Sequence, residues 1–290
     1  MSAEQGQARI HDRGYRPYDG PRGGVPAAMR SVGRQSVQRA FGIRRSIWAK
    51  LPPVLIVALA FVPALVYVGI AAVIPVDATD LIPAYSAYYS FTAVVLLLFV
   101  AWTAPETLSA DRRTGMLGLY LASPLSRFTY LAAKSVAIGA VLLAITLGPV
   151  VFLVIARWMV GSGPAVEDLP LLVIRMLMSA VVLSGIYGLV GAAVAAFADR
   201  RPIATVATIL LVLILAAATS IAVEVAEYPT WIYAADPTSI ADDSLQVIWN
   251  TGDETDSGLP DVGVMAAALG WMVALAAVTW LRYHRLEVTG

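Results

Sequence analysis

Cysteine is absent from the 290 residues, which excludes disulfides, a thiolate metal site and a cysteine nucleophile. Histidine is nearly absent: His11 and His284 stand at opposite ends of the chain on polar segments, a poor basis for a paired metal site. Charge is scarce, with 14% Asp, Glu, Lys and Arg, where an ordinary soluble domain carries about 25%. No Gly-x-x-x-x-Gly-Lys-Ser/Thr phosphate loop occurs, so the usual backbone cradle for a nucleotide is missing. What the chain has in excess is apolar: 59% of residues are hydrophobic and the mean hydropathy is +0.74. One buried core cannot absorb that much. The composition excludes an ordinary soluble enzyme, a disordered chain and a basic nucleic-acid binder, and no nucleic-acid partner is expected.

Six stretches free of charge are long enough to cross a bilayer core of about 30 Å, which needs about 20 helical residues. They are Leu51–Val76, Leu81–Pro105, Ser135–Ala156, Met176–Ala198, Pro202–Val223 and Val262–Leu281. Strands of a membrane barrel would be shorter and would alternate polar with apolar residues; these do neither. The segment before Leu51 is polar and arginine-rich, unlike the short charged and apolar regions of a cleavable signal peptide. The expected fold is an all-α polytopic membrane protein with six transmembrane helices.

Net charge is zero, with 20 basic and 20 acidic side chains, yet the two signs are segregated. All but Arg157 and Arg175 of the Lys and Arg fall on one side: in the segment before the first span, in the connections after spans two and four, and behind span six. The opposite side holds Asp77, Asp80, Glu167, Asp168 and the acids between Glu224 and Asp261. The positive-inside rule makes the basic side cytoplasmic, so both termini are expected there. Trp48, Trp102 and Trp280 fall at inner span ends, and Trp158 and Tyr85 at outer ends, where interfacial aromatics anchor. Arg157 and Arg175 lie near outer span ends, where snorkelling to headgroups competes with contact to a substrate.

The chain divides accordingly into a polar cytoplasmic tail (1–24), an amphipathic helix (25–50), a six-span domain (51–281) and a short cytoplasmic tail (282–290). In 25–50, Met29, Val32, Val37, Phe41 and Trp48 alternate with Arg30, Arg34, Arg39, Arg44 and Arg45, the pattern of a helix lying in the interface against anionic lipid. A topology determinant with no further role is the plainer reading. The external loop 224–261 is acidic yet carries Trp231, Ile232, Tyr233, Val247, Ile248 and Trp249, so short helices resting on the outer membrane face are expected. Ligand gating and simple packing are both open for it, as are cation binding and a solvated acidic face for its charge.

The connection between spans two and three, 105–127, is the most informative. A charged cluster at Glu106, Asp111, Arg112 and Arg113 is followed by Gly115, an apolar patch, and the Ser123-Pro124 break that ends any helix near Ala122. That describes a short cytoplasmic helix, half polar and half apolar, able to meet a soluble partner while joined to two spans.

This pattern resembles the membrane-spanning subunit of ABC transporters of the ABC-2 permease type. Members have six spans with both ends inside, and between spans two and three a Glu, a charged pair, a Gly-Thr or similar, a Leu-rich stretch, a Ser/Thr-Pro and a Lys. Here those positions are Glu106, Asp111-Arg112, Thr114-Gly115, Leu117 to Leu121, Ser123-Pro124 and Lys134. Asp111 stands where Glu is frequent, and Gly118 where an acid is common. The resemblance implies that the connection is a coupling helix seated on a cytoplasmic ATPase, with Glu106, Asp111, Arg112, Arg113, Gly115, Pro124 and Lys134 in ATPase coupling. It implies an exporter of the cell membrane, an interfacial connecting helix before span one, and re-entrant external helices before span six. With no phosphate loop, ATP and magnesium belong to the partner ATPase; this chain is expected to bind no cofactor and to catalyse nothing. Six spans make half a permease, so a second copy or a related permease is implied, alongside membrane lipid.

Hydroxyls at Tyr88, Tyr89, Thr92, Thr146, Ser179, Tyr187, Thr205 and Thr208 either line a translocation route or tie helices together. The uncharged spans argue against a proton relay and would suit an amphipathic, lipid-like cargo. Gly252-Asp253 lies in the external loop, which leaves an intramembrane aspartyl protease unsupported; Ser184-Gly185 with Gly188, Ala192 and Ala196 reads as a close-packing face. Two other readings remain at this stage: an ATP-independent transporter or lipid scramblase, and a non-transporting membrane scaffold.

Overall fold

The structure, a computed structural model, describes residues 20, 23–43, 46–73, 84–109, 111, 116, 120, 124–159, 161, 163–251 and 255–285. Among these residues there are helices and turns and no strand. Eight α-helices follow in chain order: α1 (Gly24–Ala40), α2 (Ile47–Val73), α3 (Tyr85–Ala104), α4 (Arg127–Met159), α5 (Leu169–Phe197), α6 (Arg201–Ser220), α7 (Pro237–Trp249) and α8 (Asp261–His284). Six of them, α2 to α6 and α8, are long and apolar enough to cross a membrane.

The six-span expectation holds, with α4 and α5 longer than absence of charge alone delimits. α4 starts at Arg127 rather than Ser135 and α5 at Leu169 rather than Met176, so Arg127, Lys134 and Arg175 are helical residues. A helix ends where its backbone is capped, which need not be where the apolar run stops. α4 begins with such a cap. The Ser126 amide donates to Thr129 Oγ1 (2.9 Å) while the Thr129 amide donates to Ser126 Oγ (3.2 Å), a reciprocal capping box just after Pro124.

The single helix expected over 25–50 is two. α1 ends in a Schellman motif: the Gly42 amide donates to the Arg39 carbonyl (3.1 Å) and the Ile43 amide to that of Gln38 (2.7 Å). Gly42 sits at φ +62°, and a Cβ there would lie 2.5 Å from the Ala49 carbonyl oxygen. Trp48 and Lys50 therefore belong to the start of α2, and α1 lies back along the first turns of α4, where Gly33 faces Ala133 and Ala137.

α3, α4 and α5 pack on one another at the middle of the bundle, with α2 against α3 and α4, α6 against α3 and α5, and α8 mainly against α5. Lipid tails are as apolar as leucine, so helix association rests on close packing rather than on hydrophobic burial. α5 supplies that closeness. A Cβ on Gly191 would stand 2.1 Å from Val100 of α3, and one on Gly188 would stand 2.7 Å from Leu142 of α4. Tyr88, Tyr89, Leu96, Phe99, Leu142, Leu183 and Ile186 are fully buried at this centre.

The two ends of the bundle differ. At one end Glu106, Arg127, Lys134, Arg201, Tyr283 and α1 meet; this is the basic end. At the other, α7 is seated between α3, α5 and α8, not merely rested on the surface. Trp249 donates to Ser179 Oγ (3.0 Å) and stacks on Tyr85 at 5.4 Å, while Trp271 of α8 donates to the Ala234 carbonyl (2.9 Å). The two tryptophans that marked this loop as more than solvated chain part ways: Trp249 is half-buried in that seat and Trp231 is exposed.

Candidate functional site

The basic end is organised by a proline. Pro105 has no amide hydrogen to donate inside a helix and its ring crowds the preceding turn, and the chain passes there from α3 into a π-helical turn, Pro105–Ser109. Such turns recur at functional sites. The Thr107 hydroxyl donates back to the Ala104 carbonyl at the end of α3 (3.1 Å), and Ser109 Oγ donates to the Pro105 carbonyl within the turn at 2.7 Å. The turn carries Glu106, whose Oε1 is 2.5 Å from Arg201 Nη1 at the start of α6; the same guanidinium lies 4.2 Å from the Trp102 ring.

Beyond the turn, Asp111 is helical and only 1% exposed. Its Oδ2 accepts from Lys134 Nζ at 2.5 Å and from Tyr130 Oη at 2.7 Å, and its Oδ1 accepts from Arg39 of α1. Lys134, 4% exposed, also donates to the Thr107 carbonyl and lies over the Tyr130 ring at 4.9 Å. Burial alone would push the Asp111 carboxyl up, but the Lys134 charge and the hydrogen bonds from Lys134, Tyr130 and Arg39 outweigh it and hold its pKa below the ordinary carboxylate value. Tyr120 donates to Gln35 Oε1 of α1 at 2.5 Å and stacks with Tyr130 at 5.5 Å. Tyr283 of α8 donates to the Leu108 carbonyl at 3.1 Å. The start of the connecting segment is thus tied to α1, α4, α6 and α8 together.

Of the residues singled out in the sequence, Glu106, Asp111 and Lys134 gather here, and Pro124 is exposed just before the α4 cap. Arg112, Arg113 and Gly115 lie outside the described residues. Asp111 and Lys134 are too buried to touch a soluble partner, so their contribution is to position the segment. Sequence reading missed Arg39, Gln35, Tyr120, Tyr130, Arg201 and Tyr283 as parts of this site. One signal was available: Tyr130 and Lys134 are spaced i, i+4, on one face of a helix.

The proposed route hydroxyls are dispersed through packed interfaces. Tyr88 Oη donates to the Ala60 carbonyl of α2 (2.5 Å), Tyr89 Oη to that of Met176 of α5 (3.1 Å), and Thr92 and Thr208 to carbonyls one turn back. Thr146 meets Ser184 Oγ at 3.2 Å and Ser179 accepts from Trp249. Tyr187 is buried and Thr205 half-buried. Tyr88, Tyr89, Thr146 and Ser179 thus bond between helices, while Thr92 and Thr208 bond within their own.

At the acidic end the carboxylates act on the backbone. Asp236 caps α7 by accepting from the amides of Thr238 (3.0 Å) and Ser239 (3.3 Å), with Pro237 opening the helix. Buried Asp243 accepts from the amides of Asp256 (2.9 Å) and Ser257 (3.2 Å). Burial, with Asp256, Asp243 and Asp236 nearby, raises the Asp242 pKa against the hydrogen bond from Ser90. Among the described residues, no group of three His, Asp or Glu side chains could hold a metal ion.

Residues 26–288 match the family described as ABC-2 family transporter protein. No curated protein matches the chain.

Proposed function

The chain belongs to the ABC-2 transporter family and is a multi-pass membrane protein of the permease kind, and from that premise we propose that it is the membrane half of an exporter driven by a separate cytoplasmic ATPase. The basic end faces the cytoplasm in this reading, which the segregation of Lys and Arg supports. The segment from Glu106 to Arg127 is the surface that meets the ATPase. The permease pairs with a second copy or a related chain in the cell membrane. ATP and magnesium are held by the partner, and this chain performs no catalysis.

One observation carries the reading: the start of the connecting segment is fastened to several helices at once, through Glu106–Arg201, Asp111 with Lys134 and Arg39, and Tyr120–Gln35. A segment held so cannot be displaced alone. When two ATPases bind ATP and draw together, a pull on it is passed to α1, α3, α4 and α6, tilting spans as bodies. This is a two-state change biased by contacts that differ between the states.

The test uses Glu106→Gln and Arg112→Ala in the reconstituted transporter. Both variants insert into the membrane, while stimulated ATPase activity and transport fall by on the order of tenfold. Unchanged coupling in both would remove the segment from this role.

A further inference from the structure

A cavity of about 250 Å³ lies between α3, α4 and α5 near the basic end. Val100 and Ala104 of α3, Ile138 and Leu142 of α4, and Gly188 and Leu189 of α5 give it an almost wholly apolar wall. Gly139 also faces it, and a Cβ built there meets nothing within 4 Å. Ser135 and Val181 at its margin are exposed on outward faces of two spans, so the slot opens sideways, toward the membrane. A helix, about 10 Å across with its side chains, cannot enter it. A hydrocarbon chain can.

The end of the slot is charged. Lys134 lines it, and two of the three ammonium hydrogens are accounted for by the Thr107 carbonyl and Asp111. The cluster of Lys134, Arg39 and Asp111 carries one more cation than anion among the described residues. Surplus positive charge in a poorly hydrated setting favours a neutralising anion. Arg39 does not line the slot itself, but it meets Asp111, the partner of Lys134, and its side chain is still 20% exposed, which leaves a way in for one beside the end of the slot. Apolar slot and cationic end together describe an amphiphile with a single negative head.

We propose that this slot is a resident-lipid site, holding one acyl chain of an anionic membrane phospholipid with its headgroup at Lys134 and Arg39. The bound chain braces α4 against α5 where the connecting segment is fastened. The site does not rest on the ATPase reading. It needs only that the basic end lies at a membrane leaflet.

The full-length protein is purified in mild detergent and its thermal unfolding followed with vesicle-derived phosphatidylglycerol or phosphatidylcholine of the same chain length. Phosphatidylglycerol is expected to raise the midpoint by about 5 °C over phosphatidylcholine. Gly139→Leu fills the slot, keeps a cooperative transition and loses the response to both lipids. Arg39→Gln removes the surplus charge and loses the preference for the anionic lipid. Equal response to the two lipids in the wild type, or a Gly139→Leu response as large as the wild type's, would overturn the site. ATPase coupling is not read, so failure here leaves the transport reading standing, and the reverse holds too.

Discussion

Three donors converge on the Asp111 carboxylate from α1 and from two turns of α4, and two of them are cations. Breaking a buried pair by removing one partner typically costs about 3–5 kcal/mol, because a charge is left uncompensated, whereas replacing both partners is far milder. Asp111→Asn is therefore expected to destabilise the protein by about 3 kcal/mol or more, and Asp111→Asn with Lys134→Met to recover most of that loss. Thermal unfolding of the two singles and the double forms the cycle, and additive effects would contradict the coupling. The pH dependence has a defined sign. The folded pKa of Asp111 lies below its ordinary value of 3.8, so its contribution is complete above that value and is lost as pH falls through the lowered folded pKa. The gap between wild type and Asp111→Asn stays level from neutral pH down to about 4 and closes only below it.

At the level of elements, the join between α1 and α2 sets how the N-terminal helix reaches the connecting segment. Gly42 makes that join, in a left-handed conformation and against the Ala49 backbone. Gly42→Ala is expected to cost about 1–3 kcal/mol and to loosen α1 from Asp111, read as a lower unfolding midpoint with faster proteolysis at the α1–α2 turn. An unchanged midpoint would mean that α1 is held without that turn. The position was legible in principle, since a glycine followed by a polar stretch is a common helix stop. The amphipathic pattern continuing into Trp48 concealed it. Span number was legible because a bilayer demands long apolar runs and the chain supplies six. Span limits were less so, since Lys134 and Arg175 stay helical inside runs that charge alone would have cut. The seat of α7 was half legible. Trp249 signalled burial, but its partners Ser179 and Tyr85 come from other helices and no local pattern ties them to it.

On the scale of the whole molecule, the chain is a bundle whose two ends do different work. At the acidic end, Asp236 and Asp243 spend their charge on backbone amides and hold α7 in place. At the basic end, ion pairs join the connecting segment to α1, α4 and α6, and a Tyr283 hydrogen bond joins it to α8. The coarse function was legible because topology and the 105–127 pattern point to one family, and the match over 26–288 bears that out. The site was legible only in part, since Arg39, Tyr130 and Arg201 come to Asp111 and Glu106 through tertiary packing. The central claim is that this chain works through a separate ATPase docked at the connecting segment. The most direct measurement is purification of the tagged protein from its native cells in mild detergents, followed by identification of what accompanies it. The account predicts a stoichiometric nucleotide-binding protein that is lost when residues 106–113 are altered. Its reproducible absence across several detergents would contradict the account.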